Sequence, residues 1–183
     1  MMARPLSECD TECEILVSPI PRPKMPVFQV STRPTKRSVY FVDTWKPNSL
    51  AILRRTKALL DERGVSTSEI WSKKDPSRPL TPAELDRIVR EAEGALVLLG
   101  VGDCGACSSG SSLDSIFLQQ RGVTALPVLT APFVNVLARL LSIWKADGVL
   151  SSIVLEHPIQ DLAAAGIEQR AHDLVQAIER LLP

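Results

Sequence analysis

Residues 95–112 read ALVLLGVGDCGACSSGSS, and this stretch decides how we interpret the rest of the chain. Its first part, 95–101, is nearly all apolar, which is typical of a central strand covered on both faces. A loop rich in Gly, Cys and Ser is expected over 102–110, followed by a helix from about 111 to 121. A buried strand, a loop and a helix in this order predict part of a parallel sheet built from βαβ units.

The same alternation extends along the chain on both sides of this stretch. Short apolar runs predict four further strands, at residues 38–42, 65–71, 124–129 and 149–155. Apolar positions at helical spacing predict four further helices, over about 49–64, from Thr81, over about 133–146 and along the stripe from Ile167 to Ile178. We therefore expect the α/β class, with a doubly wound, five-stranded parallel sheet in the flavodoxin-like order 2-1-3-4-5.

Proline separates the start of the chain from this alternating part. Six of the 14 prolines lie before residue 38, in a segment that is acidic at first and then basic. Such a composition buries little apolar surface, so we expect a Pro-rich N-terminal arm over 1–37 and an α/β domain over 38–183. The arm is either a solvated tail or a lid, over the site of its own chain or of its partner in a homodimer.

Composition excludes several classes of protein. The chain has 183 residues, 45% of them hydrophobic, with 21 basic and 21 acidic side chains, which is the balance of one globular domain. A net charge of zero argues against a broad surface for nucleic acid. The chain has no apolar run of the roughly 18 residues that span a bilayer and no secretory signal at its start, so we expect a cytoplasmic protein with neither nucleic-acid nor membrane partners.

The expected strand order locates the ligand site. In such a sheet, ligands bind beyond the carboxyl ends of strands 1 and 3, and the loops there are 43–48 and 102–110. In the first loop, Trp45, Lys46 and Asn48 are candidate substrate-binding residues, since a ring can stack and an ammonium can attract an anion. No G-x-G-x-x-G motif follows the first strand and the chain has no phosphate-binding loop, so we expect no nucleotide cofactor.

Cys104 and Cys107 in the second loop are the candidate catalytic residues. Two cysteines three residues apart can close a small disulfide or share one reactive thiolate. Amides at the start of the following helix, with Lys46 nearby, would lower the pKa of the thiol. Ser108 and Ser109 would offer donors to a substrate. The alternative is a buried cysteine pair beside a tight turn.

A metal site is a further alternative. Cys9 and Cys13 form a second pair on the arm, and folding the arm over Cys104 and Cys107 would assemble four thiolates, a ligand set suited to zinc or copper. We favour exposed thiols at Cys9 and Cys13, and no metal.

Three further residues complete the candidate site, and two of them, His157 and Thr130, follow other strands. His157 follows the fifth strand, at the same edge of the sheet as the cysteines, where it can act as a general acid or base. Asp103 is expected to bind substrate, cap a turn or orient a thiol. An ionised Asp103 beside Cys104 would raise the pKa of that thiol. Thr130 follows the fourth strand, where its hydroxyl either reaches the substrate or starts a helix.

These residues carry a resemblance to a known family. Cys104-Gly105-Ala106-Cys107 resembles the signature of the UGSC family, named for selenocysteine-Gly-Ser-Cys, with Cys104 where some relatives have selenocysteine. Ala106 departs from the family's Ser. The similarity covers about residues 38–183 and includes further landmarks, namely Lys46-Pro47-Asn48, Gly102-Asp103, Thr130-Ala131-Pro132-Phe133 and His157-Pro158-Ile159.

The family is similar to the selenocysteine-bearing part of the substrate-binding subunits of glycine, sarcosine and betaine reductases. This resemblance implies that Cys104 attacks and Cys107 resolves the adduct. We expect a cysteine-dependent oxidoreductase or transferase that takes an electrophilic small molecule, leading to reduction, reductive cleavage or sulfur transfer. Its reductant would be an external thiol, such as a thioredoxin-like protein. A subunit that needs a catalytic partner is the other reading that the resemblance implies.

Overall fold

A computed structural model describes residues 33–75, 77–144 and 150–183, together with the backbone of 28–29 and 146–147. Most of the expected arm, including Cys9 and Cys13, therefore lies outside the described residues. Two short strands, Phe28–Gln29 and Ala146–Asp147, pair in parallel apart from the main sheet.

Five parallel strands form the main sheet. We number them β1 to β5 in chain order, and their spatial order is β2-β1-β3-β4-β5, so the expected order is confirmed. Each strand pairs in parallel with its neighbours, as helical crossovers require. The strands are β1 (Ser38–Asp43), β2 (Ser66–Ser72), β3 (Leu96–Gly102), β4 (Ala125–Thr130) and β5 (Ile153–Leu155).

Five helices connect and cover the strands. They are α1 (Ser49–Glu62), α2 (Pro82–Glu91), α3 (Gly105–Gln119), α4 (Val134–Trp144) and α5 (Ala164–Glu179), and a 3-10 turn (Ala131–Phe133) precedes α4. Among the helices that the structure describes, none is long and apolar enough to cross a bilayer. The helix expected from Thr81 is α2, and a capping box starts it, because Thr81 and Glu84 bond each other's backbone amides.

Alternating side chains of β1 enter two apolar clusters, one on each face of the sheet. Val39 and Phe41 pack with the cluster that contains α1 and α5, whereas Tyr40 and Val42 pack with the cluster that contains α2. β3 lies in the middle of the sheet and is buried throughout its length. Because helices cover both faces of the sheet, polar groups meet at the ends of the strands.

The structure corrects the expected start of α3. The helix begins at Gly105, not near Ser111, because the side chain of Cys104 caps it and accepts a hydrogen bond from the backbone of Cys107. Cys107 and the residues up to Gly110 therefore belong to the first two turns of the helix instead of a loop. The last strand is shorter than expected, since only 153–155 pair with β4.

Candidate functional site

The carboxyl ends of the strands bring the candidate residues to one edge of the sheet. Asp103 and Cys104 directly follow β3, Thr130 ends β4, and His157 comes two residues after the end of β5. Because β3, β4 and β5 are consecutive neighbours in the sheet, these residues lie side by side along the edge.

The two cysteines are joined in a disulfide at the start of α3, with their Cα atoms 5.5 Å apart. Cys104 is partly exposed, whereas Cys107, in the first turn of the helix, is 1% exposed. The amide of Cys107 donates to Cys104 Sγ at 3.2 Å. Cys104 is therefore the sulfur that a molecule from solvent reaches first, and Cys107 lies behind it.

The start of α3 favours negative charge on Cys104. The first turn of the helix has no acidic residue, and its free amides carry the positive end of the helix dipole. In the reduced protein, the Cys107 amide would bond a Cys104 thiolate more strongly than a neutral thiol. A helix start of this kind stabilises a thiolate relative to a neutral thiol.

Close packing of α3 on β3 fixes the position of the cysteine pair. A Cβ at Gly102 would lie 2.8 Å from Ser108 Oγ and 3.0 Å from Ser108 Cα, so only glycine allows this approach. Ser108 is fully buried, and its hydroxyl has no hydrogen-bond partner among the described residues. Ser109 is partly exposed and its hydroxyl donates to Gly105 O at 2.8 Å. Neither serine hydroxyl is thus displayed freely to solvent.

The segment 100–105, which runs from the last residues of β3 to the first residue of α3, also has the spacing G-x-G-x-x-G. The dinucleotide fingerprint needs an acidic residue about 20 positions further on, and the segment Ala125–Thr130 contains none. Gly100 and Gly102 instead allow close packing, because a Cβ at either position would lie within 3 Å of a neighbouring side chain, whereas Gly105 has open space around it.

Asp103 and His157 form the most specific polar contact of the site. Asp103 is 2% exposed, and its Oδ1 lies 2.7 Å from His157 Nδ1. The hydroxyl of Thr130 donates to the same oxygen at 2.8 Å, and the amide of Ile159 donates to Oδ2 at 3.2 Å. Both oxygens of Asp103 are therefore bound by protein donors. This geometry suits orientation of His157, a role that our expectations for Asp103 (binding substrate, capping a turn or orienting a thiol) did not include.

His157 is the open end of this cluster. Its side chain is 36% exposed although its partner carboxylate is buried. Its ring and that of Phe133 are in T-shaped contact, with the ring centroids 5.7 Å apart. Nδ1 is engaged with Asp103 and Thr130, so Nε2 is the ring nitrogen left for solvent or a ligand.

Two residues of the loop after β1 have different roles: Asn48 holds a neighbouring loop in place, and Trp45 is exposed to solvent. The Asn48 amide donates to the carbonyl oxygens of Ile159, Gln160 and Leu162, at 2.8, 3.1 and 3.1 Å, and so fixes the loop that follows His157. Trp45 is 64% exposed. Both residues have positive φ, 60° at Trp45 and 63° at Asn48, which is uncommon outside glycine and is found at functional sites.

Lys46 lies between these two residues and is partly exposed. Its side chain makes no ion pair with a carboxylate in the described ranges. Its backbone carbonyl accepts a hydrogen bond from Ser49 at the start of α1.

Sequence reasoning missed a buried polar network beneath the site. Asp43 and Ser49 are fully buried, and the hydroxyl of Ser49 donates to Asp43 Oδ1 at 2.6 Å and accepts from the amide of Val101 at 2.8 Å. The hydroxyl of Thr44 donates to Val101 O at 2.9 Å. The only sequence signal was the position of these polar residues at the end of a buried strand.

A buried ion pair lies on another side of α3. Lys73 Nζ is 2.6 Å from Asp114 Oδ2, with the two side chains 1% and 0% exposed. The amide of Leu80 donates to the other oxygen of Asp114 at 2.7 Å. Within the described parts of the chain, no cluster of three His, Cys, Asp or Glu side chains is placed to hold a metal ion.

The fold and the site together define a doubly wound α/β protein whose cysteine pair caps a helix at the carboxyl edge of its sheet. The sequence pattern of the UGSC family matches residues 16–183. The chain belongs to the UGSC family. The match begins within the expected arm, so it also takes in residues 16–37. Comparisons with curated proteins and with solved structures give no match.

Proposed function

We propose that this protein is a cysteine-dependent enzyme in which the thiolate of Cys104 attacks an electrophilic small molecule and Cys107 resolves the adduct. The observation that supports it is the pairing of a partly exposed Cys104 with a buried Cys107 across the first turn of α3. Two cysteines that are close enough to form a disulfide can together donate two electrons to a bound substrate. The exposed cysteine of the pair is the one that the substrate contacts.

The first step joins the substrate to Cys104. A Cys104 thiolate displaces a leaving group X⁻ from R–X, forming a carbon–sulfur bond as the R–X bond breaks. The amides at the start of α3 stabilise the thiolate before attack. For a substrate with an electrophilic sulfur, the same step gives a mixed disulfide.

The second step resolves the adduct. The thiolate of Cys107 attacks the sulfur of Cys104 and forms the disulfide. The carbon–sulfur bond breaks, a carbonyl next to the reacting carbon of R takes up the bonding pair as an enolate, and protonation gives R–H. The net reaction reduces R–X by two electrons and oxidises the two thiols. An external dithiol, such as a thioredoxin-like protein, then reduces the disulfide and returns the enzyme to its starting state.

His157 is our proposed proton donor and acceptor in these steps. It lies at the same edge of the sheet as the cysteines, is partly exposed, and is bound through Nδ1 to Asp103, the residue that precedes Cys104. A histidine exchanges protons near neutral pH, which suits protonation of X⁻ or of the departing R group.

Trp45, Lys46 and Thr130 are proposed to shape the substrate site. Trp45 supplies an exposed ring and Lys46 a positive charge on the loop beside the switch point of the sheet. Thr130 is buried against Asp103, so its hydroxyl acts through that carboxylate. A small substrate with an anionic group fits this combination.

Limited alkylation tests the proposal. The full chain is reduced, treated with less than one equivalent of iodoacetamide over pH 6 to 9, and mapped by peptide mass spectrometry. We expect Cys104 to be labelled first, at a pH below the ordinary cysteine pKa of about 8.5. Equal labelling of all four cysteines, or first labelling of Cys107, would contradict the proposal.

Two single variants provide matched controls. Cys107→Ser keeps the proposed nucleophile, so Cys104 should still be labelled first. Cys104→Ser removes it, and labelling at low pH should then be lost. Metal retained with four unreactive cysteines would instead favour the metal-binding alternative.

A further inference from the structure

The environment of Asp103 determines which nitrogen of His157 carries a proton. The carboxylate is 2% exposed and receives three contacts, from His157 Nδ1 at 2.7 Å, from the Thr130 hydroxyl at 2.8 Å and from the Ile159 amide at 3.2 Å. Two of these groups are donors. A bare Nδ1 would turn its lone pair toward a carboxylate oxygen at 2.7 Å, which is repulsive, so the third group must also be a donor.

We infer that Asp103 is a positioning residue that holds His157 in the Nδ1–H tautomer and leaves Nε2 as the nitrogen that exchanges protons at the site. Thr130 supports this role, because its hydroxyl donates to the same oxygen and fixes the carboxylate. The Ile159 amide holds the second oxygen. The inference rests on the proposed function only for the role of Nε2 in proton exchange; the tautomer itself does not depend on it.

The surroundings of the ring agree with this assignment. Asp103 is buried but His157 is 36% exposed, so the pair opens to solvent at the imidazole end. Phe133 makes a T-shaped contact with the ring. Asn48 holds the loop of Ile159, which keeps that amide on the carboxylate. A buried carboxylate that fixes the tautomer and orientation of an accessible histidine is a known device of general-base catalysis.

Nuclear magnetic resonance of the full chain can read the tautomer directly. The protein has two histidines, which makes long-range proton–nitrogen spectra easy to assign. His172 is an internal control, because its Nε2 lies 3.1 Å from Glu168 Oε1 on the surface of α5. At a pH where both rings are neutral, we expect Nδ1–H at His157 by about tenfold or more, as a hydrogen bond to a charged group supports. His172 should show the opposite pattern.

Asp103→Asn supplies the perturbation. The Ile159 amide needs an acceptor where Oδ2 lies, so the NH2 group of the variant takes the place of Oδ1 and donates to Nδ1. The Thr130 hydroxyl can turn to Gly102 O instead. The population at His157 should therefore move to the Nε2–H tautomer while His172 stays unchanged. If this variant does not fold, the wild-type spectrum still decides, since an Nε2–H tautomer at His157 in the wild type would overturn the inference. An unchanged His157 tautomer in a folded Asp103→Asn protein would also overturn it.

Failure of this inference can be told apart from failure of the proposed function. The spectra need neither a substrate nor a reactive cysteine, and they can be recorded on Cys104→Ser. The expected tautomer together with an unreactive Cys104 would contradict the proposed function alone. A reactive Cys104 together with the opposite tautomer would contradict the inference alone.

Discussion

Two buried carboxylates next to α3 have opposite surroundings. Asp114, within the helix, meets Lys73 at 2.6 Å, and both side chains are at most 1% exposed. Asp103, just before the helix, meets His157 at 2.7 Å, and that histidine is 36% exposed. The first pair is closed on both sides, whereas the second has one member in contact with solvent.

The difference separates an ion pair that is closed to solvent from one that fits the role we propose for His157. Burial raises the pKa of Asp114, and the attraction of Lys73 opposes this, so each charge depends on the other to remain in the interior. Neither group can reach a substrate. In the second pair, the buried carboxylate of Asp103 holds one side of the imidazole of His157, and the other side is open to solvent. A side chain that is to be oriented toward a substrate needs this combination of a fixed and an accessible side.

The largest expected effect comes from breaking the closed pair. Lys73→Met leaves the Asp114 carboxylate buried without its cation, so we expect a loss of about 3–5 kcal/mol in the free energy of unfolding. The matched control is Arg63→Met, which breaks a 2.8 Å ion pair with Glu179 whose side chains are 41% and 32% exposed. The control should lose less than about 1 kcal/mol. Urea unfolding of both variants measures the two losses in free energy. Equal losses would contradict the distinction between the buried and the exposed ion pair.

The next effect concerns the glycines on either side of Asp103 and Cys104. A Cβ at Gly102 meets backbone and side-chain atoms of Ser108 at 3.0 Å or less, whereas a Cβ at Gly105 meets nothing within 4 Å. We expect Gly102→Ala to cost about 1–3 kcal/mol. Gly105→Ala lies in the first turn of α3 and should be neutral or slightly stabilising. Thermal unfolding of the two variants tests the contrast. A tolerated Gly102→Ala would show that α3 can move away from β3.

A smaller effect should follow from loosening the loop after His157. Asn48→Ala removes three hydrogen bonds to carbonyl oxygens of residues 159–162 and strains a backbone with φ of 63°. We expect about 1–2 kcal/mol of destabilisation. Asn48→Gly relieves the strain but not the lost bonds, so it should lose less. Hydrogen exchange should rise at the Ile159 amide and stay unchanged at the Leu80 amide, which bonds Asp114. A rise at both would mean that the two clusters are not independent.

The smallest expected effect concerns Glu84, a carboxylate that lies closer to solvent and serves as a reference. Burial acts to raise the pKa of Glu84, but hydrogen bonds from Arg78 and Thr81 outweigh it and hold the pKa at about 2, below the usual 4.5. A depressed pKa stabilises the fold above about pH 4.5, and this contribution is lost as pH falls toward 2. Because the pair with Arg78 is partly exposed, we expect Glu84→Gln to cost only about 1 kcal/mol at pH 7. Urea unfolding from pH 7 down to pH 3 should show the difference from wild type shrinking. A difference independent of pH would rule out the charge as its cause.

The sequence was a good guide to the sheet and a partial guide to the site. Alternating apolar runs and helical stripes predict the strand order, and that order places His157 at the edge that holds the cysteines. The start of α3 was misplaced because cysteine is not a usual helix cap, and because Gly and Ser at positions 105–112 resemble a loop. The usual list of helix-capping residues does not include a thiol as the acceptor of the capping hydrogen bond.

The remaining contacts depend on residues that are distant in sequence. Lys73 and Asp114 are 41 positions apart, and Asn48 is more than 110 positions from the loop that it holds. Asp114 sits in a polar stretch of α3 that resembles a solvated face, and only the packing of the helix shows that it is buried. The bond between Asp103 and His157 likewise requires β3, β4 and β5 to be assembled side by side.

The most direct test of the central claim is the stoichiometry of reaction with an aromatic disulfide reagent. In a Cys9→Ser/Cys13→Ser background, the reduced chain should release two equivalents of aromatic thiol, as Cys104 forms a mixed disulfide that Cys107 then displaces. Cys107→Ser in the same background should release one equivalent and retain the adduct on Cys104. Rapid release from Cys104→Ser with the adduct on Cys107, or no reaction at either cysteine in the folded protein, would contradict the assignment of Cys104 as nucleophile and Cys107 as resolving thiol.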